Sequence, residues 1–301
     1  MPTYNFINKY PDKSPISVND MLRKLLIPRK WRHFLRIEKN ILINGQYRNF
    51  NELVYPNDLY SISLTHVENQ QHPILPSGHL PQIIYEDKNI LVINKPSKQK
   101  THPNLFETNT AMNDVTTYLG YTPYIIHRLD MLTNGLLLFA KNPAVVPILN
   151  RQLTTKTMQR NYYATVKLKD IAQKGTISSP IAQDPTDQRK RIIADNGLKA
   201  VTHYEVIGRD LSKNTMVLKL TLETGRTHQI RVHLASINLP IIGDPLYNPN
   251  FNGEPLALIA YEMTLIKPFT FEKLTVTLPN KKRLSKRIVF LNKVIIRLFF
   301  V

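Results

Sequence analysis

The chain has 301 residues, 42% of them hydrophobic, and sets 40 Lys and Arg against 22 Asp and Glu, for a formal charge of +18 and a pI near 9.9. That length and apolar content allow one large domain with a smaller companion, and the charge points to a polyanionic partner, either nucleic acid or an anionic membrane face. The absence of cysteine excludes disulfides, thiolate zinc sites and cysteine nucleophiles; no apolar run reaches the ~20 residues that cross a bilayer, and Met1-Pro2-Thr3-Tyr4-Asn5 opens no secretion signal, so the cytoplasm is the expected compartment.

After an N-terminal extension over 1–14, residues 15–64 read as a small α/β module. Asn19 is placed to cap a first helix carrying Met21, Leu22, Leu25 and Leu26, with Pro28 in the turn or at the start of a second. That second helix, Arg29-Lys30-Trp31-Arg32-His33-Phe34-Leu35-Arg36, spaces Trp31, Phe34 and Leu35 at i, i+3, i+4, so they face inward while Arg29, Lys30, Arg32 and Arg36 stay in water. Ile41 to Gln46 reads as strand, turn and return, and Leu59 to Leu64 as a further strand. The Pro-Arg-Lys helix start, the Ile-Asn-Gly turn and Pro56-Asn57-Asp58 before a strand together resemble the alpha-L type RNA-binding domain. The resemblance makes Arg29, Lys30, Arg32 and Arg36 candidate RNA contacts; read alone, the same basic face is equally a solvated surface.

Residues 65–81, with His66, His72, His79 and several prolines, have the composition of a linker, and no acid or thiol stands at ligand spacing to make the histidines a metal site. From 82 to 280 strands recur: Ile83 to Asp87, Ile90 to Asn94, the apolar run Leu136 to Ala140, Tyr163 to Val166, Thr202 to Ile207 and Met216 to Leu222. Helical stretches stand out around Ala144 to Leu149 and from Gln229 to Ile237. Strands without regular helices between them argue for a mixed, largely antiparallel sheet and an α+β domain. The last stretch, 281–301, holds seven basic residues (Lys281, Lys282, Arg283, Lys286, Arg287, Lys293, Arg297) and no acid, which leaves +11 on the first 280 residues. An amphipathic helix can form there, but a final element packed on the domain, or a poorly ordered extension, is preferred over membrane contact.

The run His127-Arg128-Leu129-Asp130-Met131-Leu132-Thr133-Asn134-Gly135 places a carboxylate beside a guanidinium just before the buried strand, where a rigid element can hold one acid still. An ordinary turn aspartate looks the same. Context separates the two. Asn94-Lys95-Pro96 with His102-Pro103, then His127-Arg128-Leu129-Asp130, then Arg160-Asn161-Tyr162-Tyr163-Ala164-Thr165-Val166, then Gly225-Arg226-Thr227-His228-Gln229-Ile230-Arg231-Val232-His233 with Gly243-Asp244-Pro245-Leu246-Tyr247 occur in that order. Together they resemble the pseudouridine synthases of the RluA/RluD type over roughly residues 83–280, with the RNA-binding module ahead as in the RluD-like branch.

The resemblance implies an isomerase without cofactor or metal that acts on a uridine in structured RNA, with large-subunit ribosomal RNA the favoured target and transfer RNA the rival. It matches Asp130 to the catalytic aspartate, Tyr162 to the tyrosine that packs on the uracil and handles the proton on carbon 5, Arg231 to the arginine that pairs with the aspartate, and Arg128 to the one that helps push the target nucleotide from its stack. The chain departs from the pattern at Asn134, where serine is usual, and at Lys98, where glycine often follows Asn-Lys-Pro; both put loop geometry in question.

The residue types suit that chemistry. The base must leave the helix, turn and rejoin through carbon 5, and its lost stacking, a few kcal/mol, is offset by a filling side chain and an aromatic platform. A carboxylate that attacks carbon 1 of the ribose, or removes the proton on carbon 2, must be ionised; burial alone raises its pKa, so a cation is needed beside it. Thr227 is placed to cap a helix from His228 to Ser236, with Arg231 projecting from its first turns and Val232 and Ala235 facing the sheet. Taken alone, Arg231 is equally a surface residue on an amphipathic helix and Tyr162 a core strand tyrosine. His127, Arg226 and His228 are expected in the substrate pocket; His228 and His233, five apart, do not share a face that would hold a metal. A monomer is expected. Two other classes compete: an RNA-binding protein on an inactive synthase scaffold, which would lack the acid or its arginine, and a glycoside hydrolase, which needs two neighbouring carboxylates where one is singled out here.

Overall fold

Asn44 and Gly45 both take positive φ, 51° and 82°, and so close the two-residue turn between the antiparallel strands Ile41–Ile43 and Gln46–Tyr47. The computed structural model in which this is seen describes residues 2–69, 71–104 and 106–279, and the stretch 281–301 lies outside the described residues. The module's sheet continues through Leu59–Leu64 to an edge strand, Tyr4–Lys9, paired from Tyr4 opposite Leu64 to Lys9 opposite Leu59. Residues 4–9 are thus part of the module and not an extension. Their inward Phe6 between outward Asn5 and Ile7 is a period of two in a segment too short and polar to stand out in the sequence.

The first helix, Val18–Lys24, is capped by Ser17, whose hydroxyl accepts the Asp20 N–H at 3.1 Å; Asn19 instead sits in the first turn and accepts from Arg32 Nη1 at 2.9 Å. The second, Arg29–Ile37, starts directly after Pro28 and buries Trp31 and Leu35. Phe34 is half-buried and stacks on His66 at 3.9 Å. Arg29, Lys30 and Arg36 are exposed, as the helical spacing requires, but Arg32 is half-buried because it reaches back to Asn19. The stretch 65–81 has no helix or strand among its described residues, yet it is tied down: Leu75 O accepts from Asn113 Nδ2 at 2.6 Å, Ser77 Oγ donates to Asp114 at 2.7 Å, and Gly78 N–H donates to Thr117 at 3.0 Å.

The second part is an α+β domain on one large, twisted sheet. Its strands run in the order Lys174–Ile177, Thr202–Asp210, Thr215–Leu222, Gln159–Lys167, Leu258–Ile266, Asn134–Ala140, Ile90–Lys95 and Ile83–Glu86. Lys273–Thr277 also pairs with Leu258–Ile266, and Tyr124–Ile125 with Asn134–Ala140. Among the described residues every pairing in it is antiparallel except one: Asn134–Ala140 and Leu258–Ile266 meet in parallel, Asn134 opposite Ile259 and Gly135 opposite Ala260. Gly135 has φ of +116°, and a Cβ there would overlap the Ala260 peptide group, so this close approach admits only glycine.

Alternation along Asn134–Ala140 feeds two cores. Leu136 and Leu138 join Val92, Met263, Leu265 and Phe269 on the face covered by the module, where Phe6 stacks on Phe269 at 3.5 Å and Tyr60 Oη donates to Phe269 O at 2.9 Å. Leu137 and Phe139 join Leu91, Ile93, Ala164, Leu218 and Leu220 on the other. Each leucine so buried stabilises by about 1.5–3 kcal/mol. Helix Val146–Thr154 follows a short 3-10 turn at Pro143–Val145, where the apolar stretch around Ala144 indicates a helix. Helix Ala111–Leu119 and the central strand Leu258–Ile266 also have no clear signal in the sequence. No helix among the described residues is long and apolar enough to cross a membrane.

Candidate active site

The loop leading into strand Asn134–Ala140, just before the parallel junction, carries Asp130. The loop is pinned from several sides. Thr133 N–H donates to Asp130 O at 3.1 Å, Leu129 exchanges hydrogen bonds with the Thr101 hydroxyl, and Lys95 Nζ donates to the carbonyls of Pro96, Gln99 and Met131 at 2.8, 2.7 and 3.3 Å. Lys95 is fully buried, and burial pushes its pKa down to about 8 against the opposing pull of the Asp130 charge. Lys98, where glycine is usual, takes a φ of +64°, so the loop keeps the backbone shape that glycine would adopt freely.

Arg231 comes from helix Gln229–Ser236. Thr227 does not cap it: the residue before the helix is His228, in the left-handed region at φ +56°. The turn is held by Gln229, whose Oε1 accepts from Thr224 Oγ1 at 2.8 Å and from Arg226 N–H at 3.0 Å. Ile230 and Leu234 pack into the sheet core and Val232 packs on Ile181 and Ala200, whereas Ala235 is only half-buried. Arg231 thus points the other way, into a buried pair: Nε and Nη2 donate to Asp244 Oδ2 and Oδ1, each at 2.8 Å. Its third nitrogen, Nη1, lies 3.5 Å from Asp130 Oδ2. Burial lowers the Arg231 pKa, but the hydrogen bonds and charge of Asp244, with the charge of Asp130, leave it raised.

His228 Nε2 stands 3.9 Å from the same Asp130 oxygen, and its Nδ1 is 2.9 Å from Tyr247 Oη. The Tyr247 ring lies under the Arg231 guanidinium at 5.1 Å. The Asp130 side chain remains 24% exposed, open to a cleft of about 970 Å³. Tyr162 lines that cleft from strand Gln159–Lys167, opposite Ala260 across a bulge, one strand beyond the parallel junction. Burial raises its pKa, so the phenol holds its proton at neutral pH. Its neighbour Tyr163 faces the other side and stacks on Tyr261 at 3.6 Å.

The geometry brings Asp130, Tyr162, Arg231, His228, Arg128 and Arg226 to one cleft, with Arg128 and Arg226 exposed and Arg160 beside them. His127 also lines it, but its Nε2 accepts the Leu138 N–H at 3.2 Å, so the ring is anchored to the body of the strand; burial and the Arg160 charge push its pKa down to about 3. Arg29, Lys30, Arg32 and Arg36 do not border the cleft, and Lys30 pairs with Glu68 at 2.7 Å. Asp244, Tyr247 and Lys95 gain roles that spacing alone does not give them. Each stands in a motif that reads clearly, but only burial reveals what each holds.

Residues 89–236 match the family described as RNA pseudouridylate synthase, and residues 6–60 match the N-terminal domain of RluD ribosomal pseudouridine synthases. Over 251 residues the chain is 36% identical to an uncharacterized RNA pseudouridine synthase, YhcT, of Bacillus subtilis, covering 80% of this chain and 82% of that protein. Over 190 residues it is 37% identical to the ribosomal large subunit pseudouridine synthase D of Pseudomonas aeruginosa, covering 61% and 58%. Among solved structures, human RNA pseudouridylate synthase domain containing 1 superposes with a TM-score of 0.57 at 24% identity, over 67% of this chain and 84% of that one, which is a likeness of fold.

Proposed function

The chain belongs to the RNA pseudouridine synthases of the RluA/RluD type, with an RNA-binding domain of the RluD kind at its N-terminus, and from this premise we propose its target and the roles of its residues. The substrate is a uridine in large-subunit ribosomal RNA. The name of the relative from Pseudomonas aeruginosa and the ribosomal description of the N-terminal domain support this reading. Transfer RNA is the rival, and mapping pseudouridines across the RNA of cells with and without the protein separates the two.

One observation carries the chemical reading: a partly exposed carboxylate, Asp130, faces the cleft while a buried guanidinium stands 3.5 Å behind it. Arg128 fills the space that the target base leaves, and the Tyr162 ring receives the uracil. Asp130 then acts on the ribose, either at carbon 1 or by taking the proton on carbon 2, so that the bond from carbon 1 to N1 breaks. The freed uracil turns on Tyr162, carbon 5 bonds to carbon 1 as Asp130 leaves carbon 1 or returns the proton to carbon 2, and the proton lost from carbon 5 is balanced by the one that N1 gains. Arg231 balances the charge of Asp130 while it is ionised, and Asp244 keeps Arg231 in place. On the module, Arg29, Lys30 and Arg36 contact phosphates outside the cleft, with Arg32 bracing the helix.

Asp130→Asn abolishes pseudouridine formation and leaves RNA affinity within about twofold, because the phosphate contacts that dominate affinity lie elsewhere. A variant that still modifies RNA would remove the aspartate from the mechanism.

A further inference from the structure

Tyr247 Oη accepts the Arg191 N–H at 2.8 Å and lies 2.9 Å from His228 Nδ1. A phenol has one proton. Among the hydrogen bonds of the described residues no other acceptor meets this hydroxyl, and its O–H is placed to donate to His228 Nδ1. Burial lowers the His228 pKa, with the Asp130 charge opposing and the Arg231 charge adding to the effect, so the ring is neutral near pH 7. A neutral ring that accepts at Nδ1 carries its hydrogen on Nε2, and Nε2 is the atom that faces Asp130 Oδ2.

We propose that Tyr247 is a positioning residue: it fixes His228 as the Nε2–H tautomer, so that His228 and Arg231 together present two N–H groups to Asp130 Oδ2 and leave Oδ1 as the oxygen that acts on the ribose. The inference rests on the aspartate mechanism above. Arg231 Nη1 at 3.5 Å and His228 Nε2 at 3.9 Å both approach Oδ2, and among the described residues nothing bonds Oδ1. The contacts are long in the free protein, as catalytic contacts often are before substrate closes the site. His228 itself takes a left-handed backbone, φ +56°, just ahead of the helix that carries Arg231. Arg191 stands on the small hairpin formed by Ile181–Gln183 and Arg191–Ile193, so the phenol is held by an element outside the main sheet.

Tyr247→Phe keeps the ring under Arg231 and removes only the hydroxyl. The expected result is a fall in kcat of about tenfold with KM for RNA within about twofold, the scale seen when a group that orients a reactive residue is lost. In ¹⁵N-histidine NMR the His228 signal, identified by its absence in His228→Gln, changes from the Nε2–H form to a mixture of tautomers. An unchanged kcat, or an unchanged tautomer, overturns the proposal. A second comparison serves if Tyr247→Phe does not fold. His228→Gln places an amide N–H near the position of Nε2, whereas His228→Leu does not, and both carry the same backbone conformation. Retention of most of kcat in the Gln variant, against a loss of about tenfold or more in the Leu variant, supports the proposal, and equal losses overturn it. Asp130→Asn is assayed in parallel: activity there defeats the aspartate reading itself, while an inactive Asp130→Asn beside a fully active Tyr247→Phe defeats only the role of Tyr247.

Discussion

Asp244→Asn tests whether Asp244 is what holds the arginine behind the carboxylate. Asp244 is fully buried; Oδ2 receives Arg231 Nε and Oδ1 receives Arg231 Nη2, each at 2.8 Å, while Oδ1 also accepts the N–H groups of Leu246 and Tyr247 at 2.9 and 3.2 Å. An asparagine whose carbonyl takes the place of Oδ1 keeps those three bonds and turns its amide against Arg231 Nε–H, donor to donor. Two unit charges at this contact attract by roughly 6 kcal/mol at an effective dielectric of about 20. Part of that is offset because the carboxylate need no longer be desolvated, and removing one partner of a buried pair typically leaves about 3–5 kcal/mol of destabilisation. Urea denaturation followed by circular dichroism reads this directly. The guanidinium is then drawn toward Asp130, the other acid near it, and kcat falls by about tenfold or more while RNA affinity holds. An unfolding free energy within about 1 kcal/mol of the parent, with kcat unchanged, would refute the reasoning, since Arg231 would then not depend on Asp244.

Gly135→Ala forces a Cβ into the Ala260 peptide group at a positive φ, and is expected to cost at least about 3 kcal/mol; a melting temperature equal to the parent's would show that the parallel junction yields easily. His127 has its pKa pushed down from 6.5 to about 3 by burial and the Arg160 charge, so the unfolded chain binds the extra proton between those values. Its contribution is therefore present above about pH 6.5 and lost as pH falls toward 3. His127→Gln flattens that limb of the urea midpoint against pH, and superimposable curves would rule out His127 as the source. Arg29→Gln with Arg36→Gln weakens RNA binding without altering kcat at saturating RNA, and reduces the slope of log affinity against log salt by about 0.7–0.9 for each phosphate no longer neutralised; an unchanged slope would take the helix away from the RNA.

Asp130, Tyr162 and Arg231 are legible in the sequence because each lies in an ordered run of unusual residues, and the buried strand after Gly135 announces itself by five successive apolar positions. Asp244 is harder to read. An acid in Gly243-Asp244-Pro245 looks like a turn residue until its complete burial opposite a guanidinium is seen, and that opposition joins residues 13 apart in the chain. Helix Ala111–Leu119 hides because its buried face includes Asn113, Asp114 and Thr116, which erases the apolar period, although Thr110 with Asn113 forms a capping box and Gly120 ends the helix at φ +76°. The residue pattern at the start of helix Gln229–Ser236 favours a Thr227 cap, but the helix begins after His228 in a left-handed conformation with no side-chain cap, and Gln229 reaches back to hold the preceding turn. Local rules place elements well where one segment satisfies its own backbone. They fail where a side chain from elsewhere does so.

The parallel seam at Gly135 and Ala260 has a consequence for how the molecule comes into being. Its partners lie 125 residues apart, so a long loop must close before they meet, a slow event compared with pairing neighbouring strands. Asp130, Tyr162 and Arg231 all leave the ribosome before Leu258–Ile266, the strand that joins the sheet half holding Asp130 to the half holding Tyr162. A nascent chain halted short of that strand contains every proposed reactive group and none of their alignment. Alignment of the proposed reactive groups is therefore expected late in folding, once the long loop has closed and the seam has paired.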